Sequence, residues 1–140
     1  MIQVLGGGKS MDESILDSVK DILGIDRENF DFDRDLVLAI NAVLAILHQE
    51  GLADEYYRIK DNSTTWDDIL LDKQTPEAIS MIQQWVGLRT KLIFDPPTSS
   101  VLMQALQDNI AELEWRGYVT NNYIGEIDEL YGDEDDTWIE

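Results

Sequence analysis

Two consecutive prolines constrain this chain more than any other feature. Asp95 precedes Pro96, and the residue before a proline is pushed out of the α region. Pro96 and Pro97 have a fixed φ and no N–H, so the backbone stays extended through both. A helix arriving from Trp85 must therefore stop here. Thr98, Ser99 and Ser100 follow as candidate N-caps, whose side-chain oxygens can accept from the free amides of a new first turn. Beyond them Leu102, Leu106, Ile110 and Leu113 recur at helical spacing and define one apolar face. The unit reads as helix, rigid elbow, helix.

The same signals place the other elements. A first helix is expected over Met11–Leu23, capped by Ser10 or Asp12 and stopped by Gly24. Its apolar stripe is Ile15, Leu16, Val19, Ile22 and Leu23. A second is expected over Asp33–Glu50, ended by Gly51. It is apolar almost all round, so it should be buried on most sides, by its own fold or by a neighbouring subunit. Asn41 inside it reads as a hydrogen-bonded core residue. His48, the only histidine, sits in the last turn, where the helix dipole favours a cation. Ala53–Thr65 contains Tyr56–Lys60 with strand propensity and a turn signal at Asp61–Ser63, which suggests a loop or small hairpin. Thr65 and Asp68 resemble a capping box for a short helix over Trp66–Leu71. Thr75, Pro76 and Glu77 open a long third helix to about Phe94, with Ile79, Ile82, Val86 and Ile93 inward. The fourth helix should end near Tyr118–Asn122. The fold expected is all-α: a small bundle of about four main helices, with a short hairpin or loop insertion and an extended acidic C-terminal tail. Residues 1–10 form an arm, 11–122 the helical domain and 123–140 the tail.

Charge narrows the function. The chain of 140 residues holds 29 acids against 10 bases, a net of −19. Affinity for nucleic acid comes mainly from Lys and Arg on phosphates, so most of this surface repels DNA. Such a chain avoids DNA, mimics it, or lines a path along which DNA slides without sticking; acids that merely keep a protein soluble are the plain alternative. There is no cysteine, so neither disulfides nor thiolate chemistry arise. The longest apolar run, Leu36–Leu47, is interrupted by Asn41 and falls short of the roughly 20 residues of a membrane span.

The candidate chemical motifs each lack a needed residue. Gly6–Ser10 has the layout of a phosphate-binding loop, yet Gln3 stands where its first glycine belongs. Asp31, Asp33 and Asp35 alternate as in a calcium loop, yet Leu36 and Ala42 occupy the positions of its glycine and its terminal glutamate. With one histidine and no placed base for Ser99 or Ser100, no catalytic constellation stands out, so neither enzyme activity nor a cofactor or metal is expected. Trp85, Trp115, Arg116 and Tyr118 read as packing residues or anchors of a subunit interface. From Glu126 onward the tail has eight acids and no base. Tyr123, Ile127, Leu130, Tyr131, Trp138 and Ile139 supply its apolar contacts, a composition suited to docking on a basic partner surface with an apolar pocket.

Four stretches together resemble a known family. They are ILDSVKDILGI at Ile15–Ile25, FDFDRDLVLAINAVLAILHQEG at Phe30–Gly51, TTWDDIL at Thr64–Leu70 and LIFDPPTSSVLMQALQDNIAELEWR at Leu92–Arg116. In these the chain is similar to the small helical head–tail connector (adaptor) proteins of tailed bacteriophages, over about Met11 to Arg116. The resemblance implies a non-enzymatic protein of the virion neck, assembled in the host cytoplasm. It implies a homo-oligomeric ring, commonly dodecameric, beneath the portal protein, with a stopper or tail-completion protein below. DNA would pass through its centre without specific binding, and no membrane is involved. The acidic tail would dock on the portal, and the elbow Asp95, Pro96, Pro97, Thr98 and Ser99 would set the ring's curvature. An acidic DNA-mimic inhibitor is the alternative.

Overall fold

The computed structural model describes residues 12–53, 55–69 and 76–131, and for 117–131 it describes the helical backbone alone. Within these lie α1 (Ile15–Leu23), α2 (Asp33–Gln49), a 3-10 turn (Trp66–Ile69), α3 (Pro76–Phe94) and α4 (Ser100–Tyr131). The all-α bundle expected from periodicity is what forms.

α1 starts later than its composition suggests. Ser14, with extended backbone, is the N-cap, and its Oγ accepts from Asp17 N at 3.2 Å. The residues just before it pair across the chain instead of coiling. Ile15 N donates to Thr64 O (3.0 Å) and Trp66 N to Glu13 O (3.2 Å). This one antiparallel bridge, Ser14 with Thr65, stands where a hairpin was conceivable; the segment after α2 is a loop, and no strand forms among the described residues. Asp68 Oδ2 accepts from Thr65 N at 2.8 Å, half of the capping box, and the helix it opens is a single 3-10 turn.

The core gathers around α2. Its Leu36, Ile40, Val43, Leu44 and Leu47 pack with Ile15, Leu16 and Val19 of α1 and with Trp66 and Ile69, all buried. Several polar groups inside are paired. Trp66 Nε1–H donates to Ser18 Oγ (3.2 Å). Asn41 clamps the Tyr56–Lys60 loop, donating to Ile59 O (3.0 Å) and accepting from Ile59 N (2.7 Å). Lys20 is fully buried, yet its ammonium meets Asp33 Oδ1 (2.7 Å) and the carbonyls of Arg27 (3.1 Å) and Asn29 (3.0 Å). It thereby ties the α1–α2 loop to α1. The alternating Asp31, Asp33 and Asp35 divide accordingly: Asp33 serves Lys20 and, with Asp35, occupies the first turn of α2.

α3 crosses both earlier helices. A Cβ on its Gly87 would overlap Ile22 Cδ1 and lie 3.2 Å from Ile22 Cγ2, so the glycine is what lets α1 approach this closely. Three positions differ from the periodic reading. Ile93 and Leu102 are exposed, and Leu38 leaves α2 with an outward apolar spot. α4 also runs to Tyr131 instead of stopping near residue 122. No proline interrupts it, and Gly117 and Gly125 cost only about 1 kcal/mol each within a helix. The tail expected to be extended from residue 123 is therefore helical over its first nine residues.

Candidate interaction surface

The elbow joins α3 to α4 as an antiparallel pair. Asp95 N donates to Lys91 O (2.8 Å) as α3 ends, and Asp95 is paired loosely with Lys91 (3.8 Å). Of the three candidate caps, Ser99 is the one used: its Oγ faces Leu102 N at 3.4 Å and its carbonyl accepts from Met103 N. Pro96, Pro97 and Thr98 bridge between.

One knot fixes the register of the pair. Trp85 Nε1–H and Arg89 both donate to Glu114 Oε2, at 3.0 and 3.1 Å, and the guanidinium also lies 5.8 Å from the Trp85 ring. Glu50, at the end of α2, feels the same knot. Burial pushes its carboxyl above the usual range, and Glu114 pushes it further, while Arg89 opposes.

Alongside this register the two helices leave an open groove. At the elbow end, a cavity of about 640 Å³ is walled by Ile22, Leu88, Pro97, Leu102, Ala105 and Leu106. A second, about 290 Å³, continues past Leu88 and Asn109 to Leu113 and Arg116. The floor is apolar. The rim charges are Lys91 and Asp95 at one end and Glu112 and Arg116 at the other. They cancel locally on a chain of net −19. Leu102 at its edge is 61 % exposed, and next to the groove Val101 and Trp115 stand out into solvent at 75 % and 65 %.

The sites expected from sequence fall into three groups. Trp85 is 2 % exposed and bound to Glu114, so it packs inside the subunit and is not an interface anchor. Trp115 and Arg116 are exposed, Arg116 gripping Glu112 one turn back at 2.6 Å. Tyr118, Tyr123, Ile127, Leu130 and Tyr131 lie on the helical backbone of α4, but their side chains, like Trp138 and Ile139 entirely, lie outside the described residues. The groove itself was missed. Leu102 and Leu106 share a periodic stripe, and only the fold shows that the first is left uncovered. The adjacent Val101 was the available signal, because it makes the stripe wider than one core contact needs.

Among the described residues, no cluster of His, Cys, Asp and Glu is arranged to hold a metal ion, and no helix is long and apolar enough to cross a membrane. No curated relative and no solved structure matches the chain. The sequence profile of the phage connector protein family matches residues 15–123, from the first residue of α1 well into α4. This range takes in α1, α2, α3, the greater part of α4 and the whole of the groove, and the chain belongs to that family of structural, non-enzymatic phage proteins.

Proposed function

We propose that this chain is the adaptor of a phage neck: a closed homo-oligomeric ring, dodecameric in the commonest arrangement, seated beneath the portal. A stopper or tail-completion protein would attach below it, and DNA would cross its centre. The observation that carries this reading is the connector-family match across residues 15–123. Two features of the molecule support it. Leu38, Val101, Leu102 and Trp115 are large apolar side chains left in solvent, and contiguous exposed apolar surface of this kind marks interaction sites. A net charge of −19 suits a channel wall that must not hold phosphate. Heterologous contacts that repeat from copy to copy close into a ring when the rotation allows. The elbow Asp95–Ser99 sets the angle between α3 and α4, and so the rotation from one copy to the next. Trp115, Arg116 and Tyr118 lie on subunit contacts. Tyr123, Ile127, Leu130, Tyr131, Trp138 and Ile139 are the portal- or partner-binding positions of the C-terminal segment. The acidic DNA-mimic reading has only the charge in its favour.

Native mass spectrometry of the chain mixed with its portal tests this directly. A stoichiometric ring-on-ring complex is expected. A chain ending at residue 131 should keep its fold and bind the portal more weakly. A chain that remains monomeric beside an intact portal ring would refute the proposal.

A further inference from the structure

α4 is much longer than the helix it packs on. It has 32 residues against 19 in α3, about 48 Å against about 28 Å. Contacts such as Trp85 with Glu114 set the antiparallel register. Carried along straight helices, that register brings Pro76, the first residue of α3, level with about residue 123 of α4. From 123 to 131, α4 runs past the end of α3. In that overhang Tyr123, Ile127, Leu130 and Tyr131 recur at the spacing of one helical face, while Glu126, Asp128 and Glu129 supply charge and no base occurs. It is an amphipathic, acidic helix end with no α3 residue beside it.

The groove between α3 and α4 fits such an end. It runs from the elbow to Arg116, some 20 Å along α4, and the overhang spans about 13 Å. Its floor is apolar, and its rim sets Lys91 beside Asp95 at one end and Arg116 beside Glu112 at the other, so it is locally neutral on a chain of net −19. Lys91 is free to turn outward, since its partner Asp95 lies at 3.8 Å and is mostly exposed. Elsewhere the acidic surface of this chain would repel an acidic helix. The overhang cannot fill its own groove, because α4 is one unbroken helix and the groove flanks its first half.

The geometry points to a second copy of this chain as the occupant: residues 123–131 of one subunit lie in the α3–α4 groove of the next. This inference rests on the ring reading above and names the contact that would build the ring. The mode is an amphipathic helix laid in an apolar groove. It is head-to-tail by construction, since each copy offers one helix end and one groove.

The chain lacks cysteine, so a pair of introduced thiols reports the contact cleanly. Ala105→Cys places one on the exposed groove wall, and Ile127→Cys places one in the overhang. The two positions are about 33 Å apart along one rigid helix, too far to close within a subunit. Mild oxidation of the full-length double variant, alone and with portal, should give a covalent ladder of dimers, trimers and larger species on a non-reducing gel. Each single variant should stop at dimers. The control pair Asp67→Cys with Ala105→Cys should give no ladder. Native mass spectrometry of the same samples separates the two ideas. A multimer without the 105–127 ladder overturns this contact and leaves the ring reading intact, as does a cross-link from residue 105 to the portal. No multimer under any condition overturns both.

Discussion

The two halves of this molecule treat apolar residues differently. In the first half, α1, α2 and the 3-10 turn bury most of theirs, with Leu38 of α2 left in solvent. Trp66, Leu36, Ile40 and Val43 are completely enclosed, and the buried Ser18, Asn41 and Lys20 beside them pair with Trp66, Ile59 and Asp33. In the second half, α3 and α4 bury one stripe and expose another, with Leu102, Val101 and Trp115 in solvent above an open groove. The first half uses its hydrophobic side chains to fold. The second half has more than folding can absorb, and the surplus is available to another molecule. On the proposed reading, stability and assembly are carried by separate parts of the same small chain.

Substitutions can break this contrast if it is wrong. Trp66→Ala should be the most damaging, since it empties a fully enclosed site beneath α1. A loss of about 3–5 kcal/mol is expected in urea denaturation. Lys20→Met should follow at about 3 kcal/mol, because it leaves Asp33 and two loop carbonyls without their buried cation. A cost below about 1 kcal/mol for either would mean that the first half is not the stability core. Leu102→Ser should do the opposite. On an exposed groove wall it should shift stability by less than about 0.5 kcal/mol, yet reduce the multimer fraction seen by light scattering. Equal loss of fold and assembly would erase the distinction between the halves.

The smallest effect sharpens the boundary between them. Glu50 ends α2 but is held above its ordinary pKa by burial and by Glu114 of α4. Folding therefore favours its protonated form. That contribution is fully present below the ordinary carboxylate range and is lost as pH rises through the raised folded value. Glu50→Gln should stabilise the chain by a few tenths of a kcal/mol near neutral pH, the effect being reduced by solvent screening. The gain should vanish at about pH 3. Thermal melts at the two pH values check it, and a gain that persists in acid would remove the link to Glu114.

Much of the fold was legible because it rests on local chemistry. Gly24 and Gly51, with φ of 78° and 79°, end α1 and α2 where glycine in a left-handed turn would end them. Asp95–Pro97 stops α3, and Ser99 caps α4. The misplacements came from long-range partners that periodicity does not contain. α1 begins at Ser14 because Thr65, fifty-one positions away, pairs with it. Trp85 belongs to the interior because Glu114 waits on another helix to receive its N–H. Lys20 gave no sign in the sequence of being buried, since the carbonyls that hold it come from a loop whose path only the fold defines. The candidate surface was less legible still. An exposed leucine and a buried leucine on one helix look alike in sequence, and they part only when α3 covers one and leaves the other.

Single-particle cryo-electron microscopy of the chain with its portal tests the central claim most directly. The account predicts a closed ring coaxial with the portal, with one open channel and α4 of each copy reaching the next. A portal carrying separate monomers, or a bare portal beside unassembled chain, would contradict it.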